Sequence, residues 1–403
     1  MLAYDELRAL LAAERLPAAL VDLDAFDRNL EVVREVVGTR GTPVRVASKS
    51  LRVVALLDRL LDRGRGLIRG VMCFTAEEAE HLARHGFDDL LVAYPTAREG
   101  ALAALARLAE AGVTARVAVD SLEGARLVSR AGEARGVRVP AVVCVDMSLE
   151  LAGGRVHLGV RRSPLREPGE VVALARALEL SPGARFAGLL GYEAQLAGLA
   201  DANPAEPLAR RAKRLMKYVS RGDVARRRVR LVEALRAAGL EPALVNGGGS
   251  GSLDSTTPES GVTEVAVGSA FLKPHLFDHY AAAYLKRLEP AAGFAVEVSR
   301  VPAPGVVTCL GGGYPASGAA GADRLPLPWL PPGLRLLPME GAGEVQTPLR
   351  VPPGVRLELG EPVMFRHAKA GELAERFNEV LLVAGGRVVG RAKTYRGEGC
   401  AFL

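Results

Sequence analysis

The stretch Val44-Arg45-Val46-Ala47-Ser48-Lys49-Ser50 is a short β-branched run that stops at a lysine, and an apolar pattern of helical period follows it over 53–63. The same grammar repeats on both sides. Short apolar runs rich in β-formers lie at 18–22, 44–47, 70–73, 90–93, 116–119, 142–146, 187–191, 244–246 and 264–267. Amphipathic Ala/Leu/Arg-rich segments separate them, at 25–37, 53–63, 76–85, 98–111, 122–135, 169–180 and within 208–238. Thr75 with Glu78 three residues on predicts a capping box, and Gly86 and Gly112 stand where C-terminal glycines belong. Alternation of this length predicts repeated βα units, an α/β class with a (β/α)8 TIM-type barrel. Nine candidate strands are one more than such a barrel takes. From Pro290 onward, short Pro/Gly/Val-rich runs replace the helices, which predicts a C-terminal, mostly β domain.

Apolar residues make up 49% of the 403 and charged residues 24%, an ordinary globular mix that excludes disordered, collagen-like and disulfide-scaffold chains. The formal charge is +6, but segment 201–230 alone holds ten basic residues against Asp201, Glu206 and Asp223, so the rest of the chain is nearly neutral. One basic helix with a single aromatic, Tyr218, reads as a solvated face and offers little to stacked bases, so no nucleic-acid partner is expected. Cys73, Cys144, Cys309 and Cys400 lie far apart without a C-x-x-C pair, which points to a reducing cytoplasm rather than to disulfides or structural zinc. Charges at Asp5, Glu6, Arg8, Glu14 and Arg15 interrupt the apolar positions of the N-terminus, so neither a signal peptide nor a membrane span is expected.

The chain has 45 arginines but seven lysines, which makes Lys49 conspicuous. The C-terminal end of a barrel strand is where such folds display catalytic groups. A partly desolvated lysine there has the lowered pKa that an imine-forming amine needs, while a lysine simply reaching solvent is the plain alternative. Near the end of the βα region stands Asn246-Gly247-Gly248-Gly249-Ser250-Gly251-Ser252. Glycines let backbone N–H groups converge on an anion and hydroxyls add donors, so a strand followed by this loop makes a phosphate cradle. Gly268-Ser269 follows the next strand, and two such loops after the last two strands match the usual phosphate position of (β/α)8 enzymes. Together with Lys49 they describe a phosphorylated aldehyde cofactor, its phosphate held by the loops and its carbonyl carbon captured by the lysine.

These residues resemble the fold type III pyridoxal-phosphate enzymes of the alanine racemase N-terminal-domain superfamily, and within them the D-threonine aldolase and D-serine dehydratase-like branch. The likeness covers nearly the whole chain. Leu20-Val21-Asp22-Leu23-Asp24 with Asn29 is similar to the opening strand and helix, and Val46-Ala47-Ser48-Lys49-Ser50 to the Schiff-base strand. Gly191-Tyr192-Glu193-Ala194-Gln195 is similar to the strand that sets residues beside the ring, and Arg396-Gly397 to a near-terminal pair. The resemblance implies pyridoxal 5'-phosphate bound by Lys49, Tyr192, Gly247, Gly248, Gly249, Ser250, Gly268 and Ser269. It implies a barrel over 24–280, a β domain over 281–403 that segment 1–23 joins, and a homodimer. It also implies a lyase for a β-hydroxy amino acid of the D series, a small amino-acid substrate cleaved or dehydrated through an external aldimine and a Cα carbanion. An amino-acid racemase or epimerase and a non-catalytic cofactor-binding protein are the alternatives.

Two departures stand out. Family members that polarise the substrate hydroxyl with a metal carry His-x-Cys or His-x-Asp in the β domain, whereas this chain reads Arg366-His367-Ala368-Lys369. An ammonium cannot ligate a metal, so no metal is expected there. Lys369 would instead set a fixed positive charge at a developing alkoxide or a substrate carboxylate, with His367 facing the β-substituent. Where the family has an Arg-x-Gly near the ring, Val156-His157-Leu158-Gly159 places His157, flanked by Arg155 and Arg161. That imidazole is a candidate proton carrier and, equally, a candidate core histidine.

Overall fold

The structure, a computed structural model, describes every residue except 1–2, 39, 152–154 and 205. The first strand is β1 (Ala18–Asp22), followed by β2 (Val44–Ala47), β3 (Ile68–Cys73), β4 (Leu90–Val92), β5 (Ala115–Val119) and β6 (Val139–Cys144). After the hairpin β7 (Leu149–Leu151) and β8 (Val156–Leu158) come β9 (Ala184–Leu190), β10 (Leu244–Gly247) and β11 (Glu264–Val267). Strands β2 to β6 and β9 to β11 pair in parallel and close into an eight-stranded barrel. Its strands β2, β4, β10 and β11 are buried at every position, as strands must be when helices cover one face and packed side chains the other. Leu91, Ala118, Val142, Ala187, Leu190 and Leu244 pack together, so the barrel is a filled core rather than a pore.

A buried ionic layer ties β2 to its neighbours. Arg45 of β2 donates to Glu264 of β11 at 2.6 and 2.8 Å and to Asp89 Oδ1 at 3.0 Å, and Asn246 of β10 donates to Glu264 at 2.7 Å. Both Arg45 and Glu264 are 1% exposed, so each charge depends on the other for solvation.

The helix Ala76–Arg84 starts as its sequence predicts, with Thr75 Oγ1 accepting from the Glu78 N–H at 3.1 Å. The Glu78 carboxylate, however, accepts from the Phe74 N–H at 2.6 Å, one residue earlier than a capping box requires. Gly86 and Gly112 take φ of 86° and 78°, the left-handed conformation that ends a helix at low cost.

The C-terminal strands are β12 (Ala292–Ala303), β13 (Val306–Leu310), β14 (Leu327–Leu330), β15 (Arg335–Leu336), β16 (Gln346–Arg350), β17 (Pro362–Arg366), β18 (Glu379–Ala384) and β19 (Arg387–Lys393). With β1 they form a nine-stranded sheet. The surplus strand β1 runs antiparallel to β12, Ala18 opposite Ala295, and parallel to β18, Ala19 opposite Val380. Leu7, Leu11, Leu20, Ala295, Met364 and Leu381 form the core beneath it.

The chain divides into two units, one comprising the residues up to Val33, Lys49–Leu56 and Ser269–Ala401, the other Arg34–Ser48, Leu57–Gly268 and Phe402–Leu403. The expectation of a plain solvated basic helix is corrected by the helix Pro207–Ala237, in which Lys217, Arg227 and Arg228 are buried. Its apolar stripe of Val224, Leu231, Val232 and Leu235 packs inward, and cations beside that stripe are carried in with it, where acids and carbonyls receive them. Among the described residues, no helix is long and apolar enough to cross a membrane.

Candidate active site

β2 leads into the turn Ser48–Ser50, and Lys49, where the chain passes into the first unit, sits at the centre of that turn. Its backbone carbonyl is pinned by two neighbours. Arg52 Nε donates to it at 3.2 Å, and Gly371, at φ 92°, packs so closely that a Cβ built there would lie 1.8 Å from the Lys49 oxygen. Only glycine serves at 371, on steric and on conformational grounds together. Gly371→Ala is therefore expected to displace the Lys49 backbone and to destabilise the protein by roughly 2–4 kcal/mol, the range of overpacking plus a strained φ. Denaturant melts and lysine-linked cofactor absorbance of that variant check both effects. Lys49 itself is exposed. Turn residues project from the element end, and the strand burial that precedes Lys49 stops at Ser48. In the same unit Ser50 and Ser269 share a hydroxyl–hydroxyl hydrogen bond of 3.2 Å.

In the second unit the glycine loop after β10 is shaped by its own donors. Gly248 takes φ 79°, Gly249 N–H donates to Ser252 Oγ at 3.2 Å, and Gly268 N–H donates to Ser250 Oγ at 3.2 Å. The last bond joins the loops of the adjacent strands β10 and β11. Tyr192 stands beside them: a Cβ at Gly249 would lie 3.1 Å from its ring and 2.9 Å from Ala197 Cβ. Burial and the neighbouring Glu193 push the Tyr192 hydroxyl up to about 12, so at neutral pH it is a hydrogen-bond donor and not a base.

Three further groups escaped the sequence, Arg162 and Arg228 in this unit and Arg376 in the other. Arg162, not Arg155 or Arg161, lies over the Tyr192 ring with its guanidinium carbon 5.4 Å from the centroid. Arg228 donates to Gly191 O at 3.1 Å, pairs with Glu193 at 3.0 Å and with Glu259, while Ser252 and Thr256 donate to Glu193 at 3.1 and 2.5 Å. Arg376 lies over Tyr314, 5.9 Å from its centroid. Loop side chains carry no periodic signal that would reveal their direction, and the period that turns Arg228 inward does not name the carboxylates it meets.

His157 lies in the β7–β8 hairpin, its Nδ1 3.3 Å from Glu150 Oε1 and 3.5 Å from Ser148 Oγ. Asp146, Arg166 and Arg227 complete that network around Ser148. It is a hairpin histidine within hydrogen-bond reach of Glu150 and Ser148.

His367 is 4% exposed, and neither ring nitrogen has a hydrogen-bond partner of normal geometry. Burial, helped by the Arg366 guanidinium and by His275, pushes it down to about 3, so the ring is neutral. Lys369 Nζ donates to Ser317 Oγ at 3.1 Å and its carbonyl at 3.3 Å. Burial lowers the Lys369 pKa against the opposing pull of Glu372. Among the described residues, His367 belongs to no group of three His, Cys, Asp or Glu side chains close enough to share an ion. A single imidazole beside an ammonium does not fit a divalent metal.

An eight-stranded parallel barrel with a strand-end lysine, and hydroxyl-bearing glycine loops after its last two strands, defines a barrel protein built for a small phosphorylated ligand. The alanine racemase N-terminal-domain model matches residues 21–274, and the chain belongs to that family. The family is pyridoxal-phosphate-dependent, and the glycine cradle beside Tyr192 fits that group. Similar proteins include a 3-hydroxy-D-aspartate aldolase of Paracoccus denitrificans (strain Pd 1222), 28% identical over 236 residues, 59% of this chain and 54% of the relative. A D-threonine aldolase of Arthrobacter sp is 25% identical over 64% of this chain and 61% of its own, and a D-threo-3-hydroxyaspartate dehydratase of Delftia sp. (strain HT23) 28% identical over 62% and 60%. The matched stretch thus spans little more than half the length of these curated relatives. Among solved structures, the D-threonine aldolase from Filomicrobium marinum aligns with a TM-score of 0.79 at 24% identity, covering 97% of each chain.

Proposed function

We propose that the protein is a pyridoxal-phosphate-dependent lyase for a β-hydroxy amino acid of the D series, acting by retro-aldol cleavage or β-elimination as a cytoplasmic homodimer. The observation that carries this reading is the bonded pair of glycine–serine loops, Gly268 N–H on Ser250 Oγ, after two strands of a barrel whose neighbouring strand β2 leads into Lys49. The activities named for the similar proteins support the reaction class.

When bound, pyridoxal phosphate supplies an electron sink for the charge that develops at Cα. Lys49 is the amine that would hold it, and as a free amine it would be a base for protons of the bound substrate. Gly247–Ser250 and Gly268-Ser269 would offer the phosphate the N–H and hydroxyl donors that the bonds between the loops do not already use. Tyr192, protonated at neutral pH, donates from its hydroxyl and is braced from behind by Arg162. His367, neutral, and Lys369 set one imidazole and one cation toward the substituent at Cβ. His157 orders the β7–β8 hairpin through Glu150 and Ser148.

The test is a panel of D- and L-threonine, serine and phenylserine offered to the reconstituted protein while aldehyde, keto acid, ammonia and enantiomer ratio are followed. Aldehyde or keto acid from the D isomers is the expected result. Racemised amino acid with no other product would make the protein a racemase, and no turnover at all would make it a cofactor-binding protein.

A further inference from the structure

In the first unit a cavity of about 450 Å³ opens among Tyr314, Ser317, His367, Lys369, Glu372 and Arg376. Its charges are unevenly spent. Arg52, on the same wall, is consumed by Glu375 at 2.5 Å and by the Lys49 carbonyl, and Glu372 accepts from the Ser317 N–H at 2.8 Å. Lys369 rests on the neutral oxygens of Ser317, and Arg376 on the face of Tyr314. Among the described residues, neither cation forms an ion pair with a carboxylate. Buried His367 adds an imidazole whose ring nitrogens have no hydrogen-bond partner of normal geometry among the described residues. The cavity also adjoins the reactive amine, since Gly371 between Lys369 and Glu372 packs on the Lys49 backbone and Lys369 feels the Lys49 charge.

We propose that this cavity is the subsite for the side chain of an acidic β-hydroxy amino acid, its distal carboxylate held by Lys369 and Arg376 with no metal ion. The inference rests on the lyase reading above and deepens it by naming the substrate class. Two cations without acidic partners leave room for one anion, and the half-buried Lys369 has been partly stripped of water before the ligand arrives. A carboxylate supplies the negative charge with which, among the described residues, neither cation is ion-paired. A side chain ending in methyl or hydroxyl supplies no charge, and its binding leaves them unmatched.

Each charge-assisted hydrogen bond to a carboxylate is worth roughly a ten- to hundredfold change in affinity. The experiment measures kcat/KM for D-threo-3-hydroxyaspartate and D-threonine with the reconstituted wild type, Arg376→Gln, Arg376→Lys and Lys369→Met. In parallel, succinate and propionate are titrated calorimetrically into the same proteins, with and without a chelator. The wild type should prefer the acidic substrate by at least about tenfold, and that preference should fall by roughly a further tenfold or more in Arg376→Gln and Lys369→Met, with Arg376→Lys recovering much of it. Succinate should bind the wild type more tightly than propionate does, lose that advantage in the same two variants, and ignore the chelator. Equal losses on both substrates, a wild-type preference for threonine, or succinate binding abolished by the chelator would each overturn the proposal. If nothing turns over but succinate binds through Arg376, the lyase reading fails and the anion subsite stands. If threonine is cleaved and succinate does not bind, the subsite fails and the lyase reading stands.

Discussion

Lys49→Ala is expected to remove the lysine-linked visible absorbance of the reconstituted protein and to lower kcat by on the order of 10³-fold or more, the scale on which one positioned proton-transferring amine acts. The case begins with position. Lys49 follows a fully buried strand, so its Cα is placed by the barrel, and its carbonyl is pinned by Arg52 and by the bare Cα of Gly371. Ser48, on its other side, donates to Met72 O at 2.8 Å and holds the turn to β3. Those backbone anchors survive the substitution, so the variant should melt close to wild type. Absorbance spectra, single-turnover rates and a thermal melt decide the matter together. A variant with wild-type absorbance and turnover would mean that another amine carries the cofactor.

The second large effect is structural. Arg228→Met should destabilise the protein by about 3–5 kcal/mol, because removing one partner of a buried ion pair leaves its charge without compensation. Arg228 is 1% exposed and serves two carboxylates, Glu193 at 0% and Glu259 at 9%. Ser252 and Thr256 still donate to Glu193, but among the described residues Glu259 is ion-paired with no other cation. Burial already raises the Glu259 pKa, and Arg228 is the charge that opposes this. For an acid whose folded pKa is raised, the linked stability is complete below the unfolded value near 4.5 and is lost as pH rises through the folded pKa. Without Arg228 that loss moves to higher pH and grows, so urea unfolding of the variant should show a smaller deficit at pH 5 than at pH 8. Arg236→Ala, which removes a fully exposed pair with Glu241, is the control and should leave unfolding unchanged. Cofactor affinity should fall with Arg228→Met as well. Its guanidinium would sit 2.8 Å from a Cβ at Gly247 and anchors the Gly191 carbonyl next to Tyr192.

Much of this was legible in the chain because the signals are local. All eight barrel strands overlap short apolar runs that are separated by longer amphipathic or polar segments. The loop 246–252 announced itself because consecutive glycines are costly in a strand or helix and invite a backbone that meets an anion. The lysine at position 49 was visible because strand and helix periods change around it. The His367-Ala368-Lys369 departure needed only side-chain chemistry, since an ammonium has no lone pair to give.

Other features lay beyond any reading of neighbours along the chain. By its own residues β1 reads like a barrel strand, and only family resemblance assigned it to the β domain; its partners lie at 292–295 and 380–383, several hundred residues away. The run of cations in 201–230 looks solvated throughout, yet Arg228 meets Glu193 and Glu259, which lie 35 and 31 residues from it, and Arg45 meets Glu264. Arg162 rather than Arg161 reaches Tyr192 because a loop has no period to assign faces, and Lys49 is exposed although its strand is not. Arg376 and Lys369 become one cavity wall only when the turn after β17 folds back past Gly371. The division follows from range. Backbone propensity and hydrophobic period are summed over a few residues and are written in the chain itself. Whether a charge is buried, paired or left for a ligand depends on low-dielectric contacts between distant segments, and those exist only once the chain has closed.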